Sequence, residues 1–197
     1  MSGRRPRGPQ TSSGRLTGVE TLASTQVYAN SWLAVREDTV RRSDGSTGTY
    51  TVVDSTDISL IIPVDGDRLH LVEQYRYPVD GRRWEFPSGS VDERFDEDAA
   101  AVAVRELREE TGLLAAGLAP LGTLDVTPST MSQRCSVFLA TGLTHGEPQR
   151  DPEEQGMLSA WFARSDVERM ISDGTISDSK SIAAYALLLT SGALSRR

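Results

Sequence analysis

A chain of 197 residues, 38% hydrophobic and 25% charged, is long enough to bury a core and has the composition of a globular protein rather than a disordered or fibrous one. No apolar run approaches the length that spans a bilayer, and the lone cysteine, Cys135, excludes an intramolecular disulfide; with no hydrophobic signal-peptide core behind the N-terminal arginines, the expected compartment is the cytoplasm. The formal charge is −7, and because Arg4, Arg5, Arg7 and Arg15 stand in the first fifteen residues without an acid, the rest is more acidic still, which disfavours nucleic acid as a partner.

The opening MSGRRPRGPQTSSG has no apolar residue after Met1, so burial cannot offset its ordering entropy. Residues 1–16 are therefore expected to form a disordered basic tail and residues 17–197 a single α+β domain, with N-terminal strands over 17–55. SWLAVREDTV and GTYTVVD, joined by RRSDGST, predict one hairpin; ISLIIPV and RLHLVEQYR, joined by DGD, predict another. A long loop, YPVDGRRWEFPSGSVDERF, follows. Asp96 to Thr111 reads as a helix, with Asp96 as N-cap, acids in the first turn and Gly112 just past its end. Ala99, Ala103 and Leu107 repeat every four residues and form its buried stripe. Strands are expected at LGTLDV, CSVFLAT and MLSAWFA, and two short helices near SDVERMISDG and SKSIAAYALLLTSG.

The helix raises the functional question. Glu106, Glu109 and Glu110 fall within five positions, so three like charges share about one turn, a mildly destabilising arrangement. The plain reading is a solvated face on which Arg105 and Arg108 offset the acids. Yet Glu97 stands upstream on the same helix and Asp92 and Glu93 in the loop just before it, and an acidic cluster of this kind suits a hard divalent cation, which takes carboxylate, carbonyl and water oxygens together with substrate phosphates.

The run Glu97, seven residues, Arg105-Glu106-Leu107-Arg108-Glu109-Glu110-Thr111-Gly112-Leu113 resembles the signature of the Nudix hydrolases. One departure is that Gly89 lies eight residues before Glu97 rather than six, which reads as a two-residue insertion in SVDERFD. The resemblance implies a Nudix fold, a mixed β-sheet between helices, and Mg2+ or Mn2+ held by Glu106 and Glu110. Glu109 would assist directly or through water, Arg105 would orient a carboxylate, and the Ser88 carbonyl would be a further ligand. VEQYRYPVDGRRWEFPSGSVD, and Pro128 sixteen residues after Gly112, resemble the ADP-ribose pyrophosphatase branch. That likeness implies substrate contact by Arg76, a nucleobase pocket using Trp32 and Tyr50, often across a homodimer interface, and a general base in HGEPQRDPEEQGM, with Glu153 and Glu154 as candidates.

Plainer readings stand beside these: two aromatic residues packed in a small sheet, and a solvated acidic loop. Gln133 stands where related sequences often carry an acid; its amide can bond a sugar hydroxyl but cannot take a proton. Cys135 reads as a core residue, and His70 and His145 as isolated histidines. The expected substrate is a small nucleotide sugar, ADP-ribose first, with GDP-mannose, other nucleotide sugars and nucleoside triphosphates as alternatives. A ligand-sensing Nudix domain that binds without hydrolysing is the reading from a different class.

Overall fold

The computed structural model describes residues 18–91, 98–148 and 156–195. Strands β1 (Val19–Ala29), β2 (Leu33–Arg42) and β3 (Thr47–Ser55) form a three-stranded antiparallel sheet. Then come β4 (Ile58–Asp65), β5 (Arg68–Arg76), β6 (Gly81–Glu85), β7 (Ser88–Ser90), helix α1 (Ala99–Thr111), β8 (Leu113–Asp125), β9 (Arg134–His145), β10 (Leu158–Ala163), α2 (Arg164–Ser172) and α3 (Ser179–Thr190). These strands make a seven-stranded mixed sheet ordered β10-β5-β4-β9-β8, with β6 on β5 and β7 on β4. The β4–β9 pair is parallel. Among the described residues, no helix is long and apolar enough to cross a membrane.

Alternation along the central strands builds two cores. Leu60 and Ile62 of β4 and Val137 and Leu139 of β9 pack with Val167 and Met170 of α2 and Ala184 and Leu188 of α3. Ile61 of β4 and Phe138 and Ala140 of β9 pack on the other side with Ala103 and Leu107 of α1. A sheet covered on both faces needs near-continuous apolar runs, which is why SLIIPV and CSVFLA look as they do. Cys135 belongs to the α2/α3 core, and burial pushes its thiol up to about 11. It is an inert core residue.

Where the structure departs from the sequence reading, the reasons are physical. β1 is a complete strand although all of its residues are exposed, so no core-facing alternation announces it. Helix α1 is capped by Asp98, whose carboxylate accepts from Ala100 N at 3.2 Å, rather than by Asp96, which lies outside the described residues. Its first turn accordingly holds no acid. β8 runs thirteen residues, far beyond LGTLDV. Pro120 is tolerated inside it because β8 is an edge strand with a register shift between Pro120 and Gly122. The long loop contains β6 and β7. β4 pairs with β5 only at Val64–Leu69 and Asp65–Arg68; beyond that point the sheet splits, β6 continuing on β5 and β7 on β4. The tail at residues 1–16 lies outside the described residues.

His70 of β5 is buried and stacks edge-on to Trp161 of β10, ring centroids 4.8 Å apart. Desolvation, with His145 nearby acting in the same direction, pushes its imidazole down to about 4. A group depressed in this way binds its proton more readily when the chain is unfolded. Its contribution to stability is therefore complete above the unfolded value near 6.5 and is lost as pH falls from there through about 4. The slope approaches, at most, about 1.4 kcal/mol per pH unit. Urea unfolding between pH 7 and 4 should show the gap between the parent and His70→Phe changing in this window, the parent losing more; parallel curves would exclude His70 as the source.

Candidate active site

Two contacts with the sheet position helix α1, and a glycine ends it. Ser59 of β4, fully buried, donates its hydroxyl to Ala99 O at 2.6 Å and ties the first turn to the sheet. Ala103 and Leu107 bury the stripe, Leu107 alone being worth roughly 1.5–3 kcal/mol. Gly112, at φ 73°, ends the helix and donates to Arg108 O at 2.8 Å, a left-handed turn that suits glycine.

Held this way, the helix carries two of its acids into the protein. Glu106 is 7% and Glu110 2% exposed. Glu109, four residues from Arg105, stays on the flank. Arg105 Nη1 reaches Glu106 Oε1 at 2.9 Å and Glu109 Oε2 at 2.7 Å, bridging a buried and a half-exposed carboxylate. The solvated-face reading thus describes Glu109 but not its neighbours.

Opposite Glu106 runs β7. Gly89 pairs with Ser59, and a Cβ built on it would stand 2.7 Å from Glu106 Cγ and overlap the carboxylate. The absent side chain makes the space in which the carboxylate lies. Ile61 N donates to Pro87 O at 3.0 Å and Val91 N to Asp57 O at 2.8 Å. By antiparallel alternation, Ser88, opposite Leu60, turns its carbonyl away from β4. Two buried carboxylates one turn apart and a carbonyl outside the ladder are oxygen donors of the kind a hard divalent cation takes, and Gly89 leaves room beside them. The residues present fit such an ion.

The remaining predicted residues are distributed around this centre. Arg76, at the end of β5, bonds Glu85 of β6 through Nε at 2.9 Å and Nη2 at 2.8 Å. Glu85 was missed in the sequence reading, although it is the acid of EFP; its burial comes from pairing with Val72 across the split sheet. Gln133 donates its amide to Thr56 O at 2.7 Å and Ser55 Oγ at 3.2 Å, stitching the end of β3 to the loop that holds Pro128. Val53 N, bonded to Thr130 O at 2.8 Å, continues the seam. Trp32 and Tyr50 are 64% and 50% exposed on the N-terminal sheet. Glu153, Glu154 and Glu97 lie outside the described residues. A groove of about 530 Å3 runs along the outer face of α1 past Val104, Arg105, Glu109 and Leu118. It includes neither Glu106 nor Glu110, so the site is located by its chemistry rather than by this groove.

Comparison with known proteins identifies the family. A model described as the NUDIX domain matches residues 56–185, and one described as the nucleoside diphosphate sugar hydrolase N-terminal domain matches residues 19–53. An ADP-ribose pyrophosphatase of Mycobacterium tuberculosis is 34% identical over 166 residues, 83% of this chain and 80% of that protein. An ADP-ribose pyrophosphatase of Bacillus subtilis is 24% identical over 170 residues, 85% of this chain and 90% of that one. A solved structure described as an ADP compounds hydrolase superposes with a TM-score of 0.81 at 21% identity, covering 91% of this chain and 97% of its own.

Gly89→Ala tests the cradle. The clash falls on the end of a flexible side chain, so the fold should survive while Glu106 is displaced. A displacement of about 1 Å at a reacting centre costs roughly a hundredfold in rate. The expected result is a large fall in kcat/KM with Tm within a few degrees of the parent; an unchanged kcat/KM would show that Glu106 needs no such space.

Proposed function

The chain belongs to the Nudix family of hydrolases, and on that premise we propose that it hydrolyses the diphosphate of a nucleoside diphosphate sugar with Mg2+ as cofactor, Mn2+ substituting, and ADP-ribose as preferred substrate. The observation that carries the nucleotide-sugar reading is the match of both segments of the chain: the catalytic domain and, separately, the N-terminal strands. The preference for ADP-ribose rests on the 34% identity to a pyrophosphatase of that name.

In this reading Glu106 and Glu110 hold the cation, with Glu109 and the Ser88 carbonyl contributing. When bound, the ion reverses the sign of an acidic pocket that would otherwise reject a diphosphate and stabilises charge on the phosphoryl oxygens. The chain's own residues do the rest. Arg105 restrains Glu106 and Glu109. Arg76 steadies the diphosphate. Water, giving its proton to Glu153 or Glu154, attacks phosphorus; the bond to the bridging oxygen breaks, and AMP and ribose 5-phosphate leave. Glu109 is the next candidate base.

Base stacking by Trp32 and Tyr50 bears on assembly. Trp32 immediately precedes Leu33, which pairs with Ser55, whereas Tyr50 pairs with Asp38. Five residues of strand separate Ser55 from Tyr50, about 17 Å, with side chains roughly perpendicular to the sheet. That separation favours two copies contributing one ring each over one chain contributing both. The exposed Val19, Val27, Tyr28 and Trp32 of the N-terminal segment supply apolar surface for such a homodimer. Sedimentation of the chain as a monomer at micromolar concentration would count against it.

The decisive experiment is a panel. Catalytic efficiency under Mg2+ is measured for ADP-ribose, GDP-mannose, UDP-glucose and nucleoside triphosphates, on the parent and on Glu153→Ala and Glu154→Ala. ADP-ribose should lead, and one variant should lose kcat with little change in KM. A tenfold lead for another substrate would overturn the ADP-ribose preference. Binding without turnover of any would favour the sensing domain, and two unaffected variants would move the base to Glu109.

A further inference from the structure

Arg76 is anchored by an acid that lies outside the glutamate cluster of α1. Glu85 is 2% exposed, whereas the Arg76 side chain is 41% exposed. The pair is therefore one-sided, a buried acid gripping a base that reaches outward. Both bonds, from Nε at 2.9 Å and Nη2 at 2.8 Å, end on the same oxygen, Oε1. Among the described residues Arg76 bonds no other side chain, so the two N–H groups of Nη1 are left for something else.

The register places this pair on the catalytic side of the sheet. Val72 pairs with Glu85 and Arg76 with Gly81. Val72 and Arg76 are four residues apart on one strand and so project from one face, and Glu85, directly across from Val72, projects from it too. Leu69 and Leu71 take the opposite face, with α2 and α3. The Arg76–Glu85 pair shares its face with Ile61, Phe138 and α1.

Burying a carboxylate is unfavourable unless it is paired, and an apolar residue of similar volume would pack the sheet at no such cost. What the acid provides and an apolar residue cannot is orientation. A guanidinium gripped at Nε and Nη2 cannot rotate freely, and its remaining donors face an incoming anion in one geometry. We propose that Glu85 is a positioning residue that holds Arg76 so that Nη1 meets the diphosphate of the nucleotide-sugar substrate with little side-chain freedom left to lose on binding. The proposal rests on the reading of Arg76 as a substrate-binding residue.

A double-mutant cycle on kcat/KM for ADP-ribose with Mg2+ tests it, using Glu85→Gln, Arg76→Gln and the pair. Glu85→Gln keeps the shape and loses the charge that fixes the guanidinium. It should raise KM roughly three- to tenfold, the equivalent of one freed side chain, while kcat changes less than KM. Arg76→Gln should raise KM more, and the double variant should match Arg76→Gln within twofold, because Glu85 acts only through Arg76. Should Arg76→Gln fail to fold, with its buried partner unpaired, Arg76→Lys keeps the charge and loses the fixed fork, and takes its place in the cycle. A general structural role would lower Tm without a selective rise in KM and would add to the Arg76 effect. If the Arg76 variants raise KM and Glu85→Gln does not, or adds fully, the positioning role is overturned while the substrate reading of Arg76 stands. If the Arg76 variants leave KM unchanged, that reading falls, and this proposal with it.

Discussion

The structure turns on one placement: two carboxylates, Glu106 and Glu110, carried by α1 toward the sheet and almost removed from water. Burial of charge is among the most unfavourable things a fold can do, and most of the surrounding features make it feasible. Ser59 and the Ala103–Leu107 stripe fix the depth and rotation of the helix. Gly89 leaves the space for the Glu106 carboxylate, and Arg105 reaches over from the flank. The split of the central sheet belongs to the same arrangement. If β4 and β5 paired along their length, β7 would have no edge to occupy and Gly89 would not stand opposite Glu106. The backbone is thus opened where β7 sets a residue without a side chain beside Glu106 and turns the Ser88 carbonyl out of the ladder.

Much of this was legible in the chain, for reasons that can be named. The rotation of α1 could be read because Ala99, Ala103 and Leu107 leave one way to bury the helix, and its end because Gly112 is the residue that a left-handed turn favours. Its start was less clear. Asp96, Glu97 and Asp98 stand together, any of the aspartates can accept a backbone N–H, and only the packing of Ala99 on the sheet selects Asp98. The fully covered strands β4 and β9 announced themselves by apolar runs. β1, β6, β7 and the first half of β8 did not, since an exposed strand, short strands in a split sheet, and an edge strand containing Pro120 carry no alternation that points to a core. At the site, the helical acids were visible as a spaced motif, whereas Glu85 was not. Its significance comes from a cross-strand neighbour, Val72, and from Arg76 nine residues earlier, relations that only the hairpin creates.

The N-terminal sheet is joined to this core by a narrow seam. Val53, Asp54, Ser55 and Thr56 bond the loop through Thr130, Ser132 and Gln133, so the end of β3 and the Pro128 loop form one unit. On β2, Arg36 is paired with Asp38 and with Asp54, which keeps charge inside a sheet whose outer strand is entirely exposed. A small sheet of this kind is marginal by itself. Its apolar surface and its two separated aromatic residues gain a common explanation if a second copy covers it, which is the arrangement we favour.

The central claim is that Glu106 and Glu110 are buried for the sake of a divalent cation. The most direct measurement is the thermal unfolding of the full chain with and without Mg2+, alongside the Glu106→Gln/Glu110→Gln double variant. A cation that binds the native state alone stabilises it by about 2.7 kcal/mol at a hundred times its dissociation constant. The account predicts that the parent Tm rises with Mg2+ concentration and that the Tm of the double variant does not. Equal rises in both proteins, or none in either up to millimolar Mg2+, would contradict it.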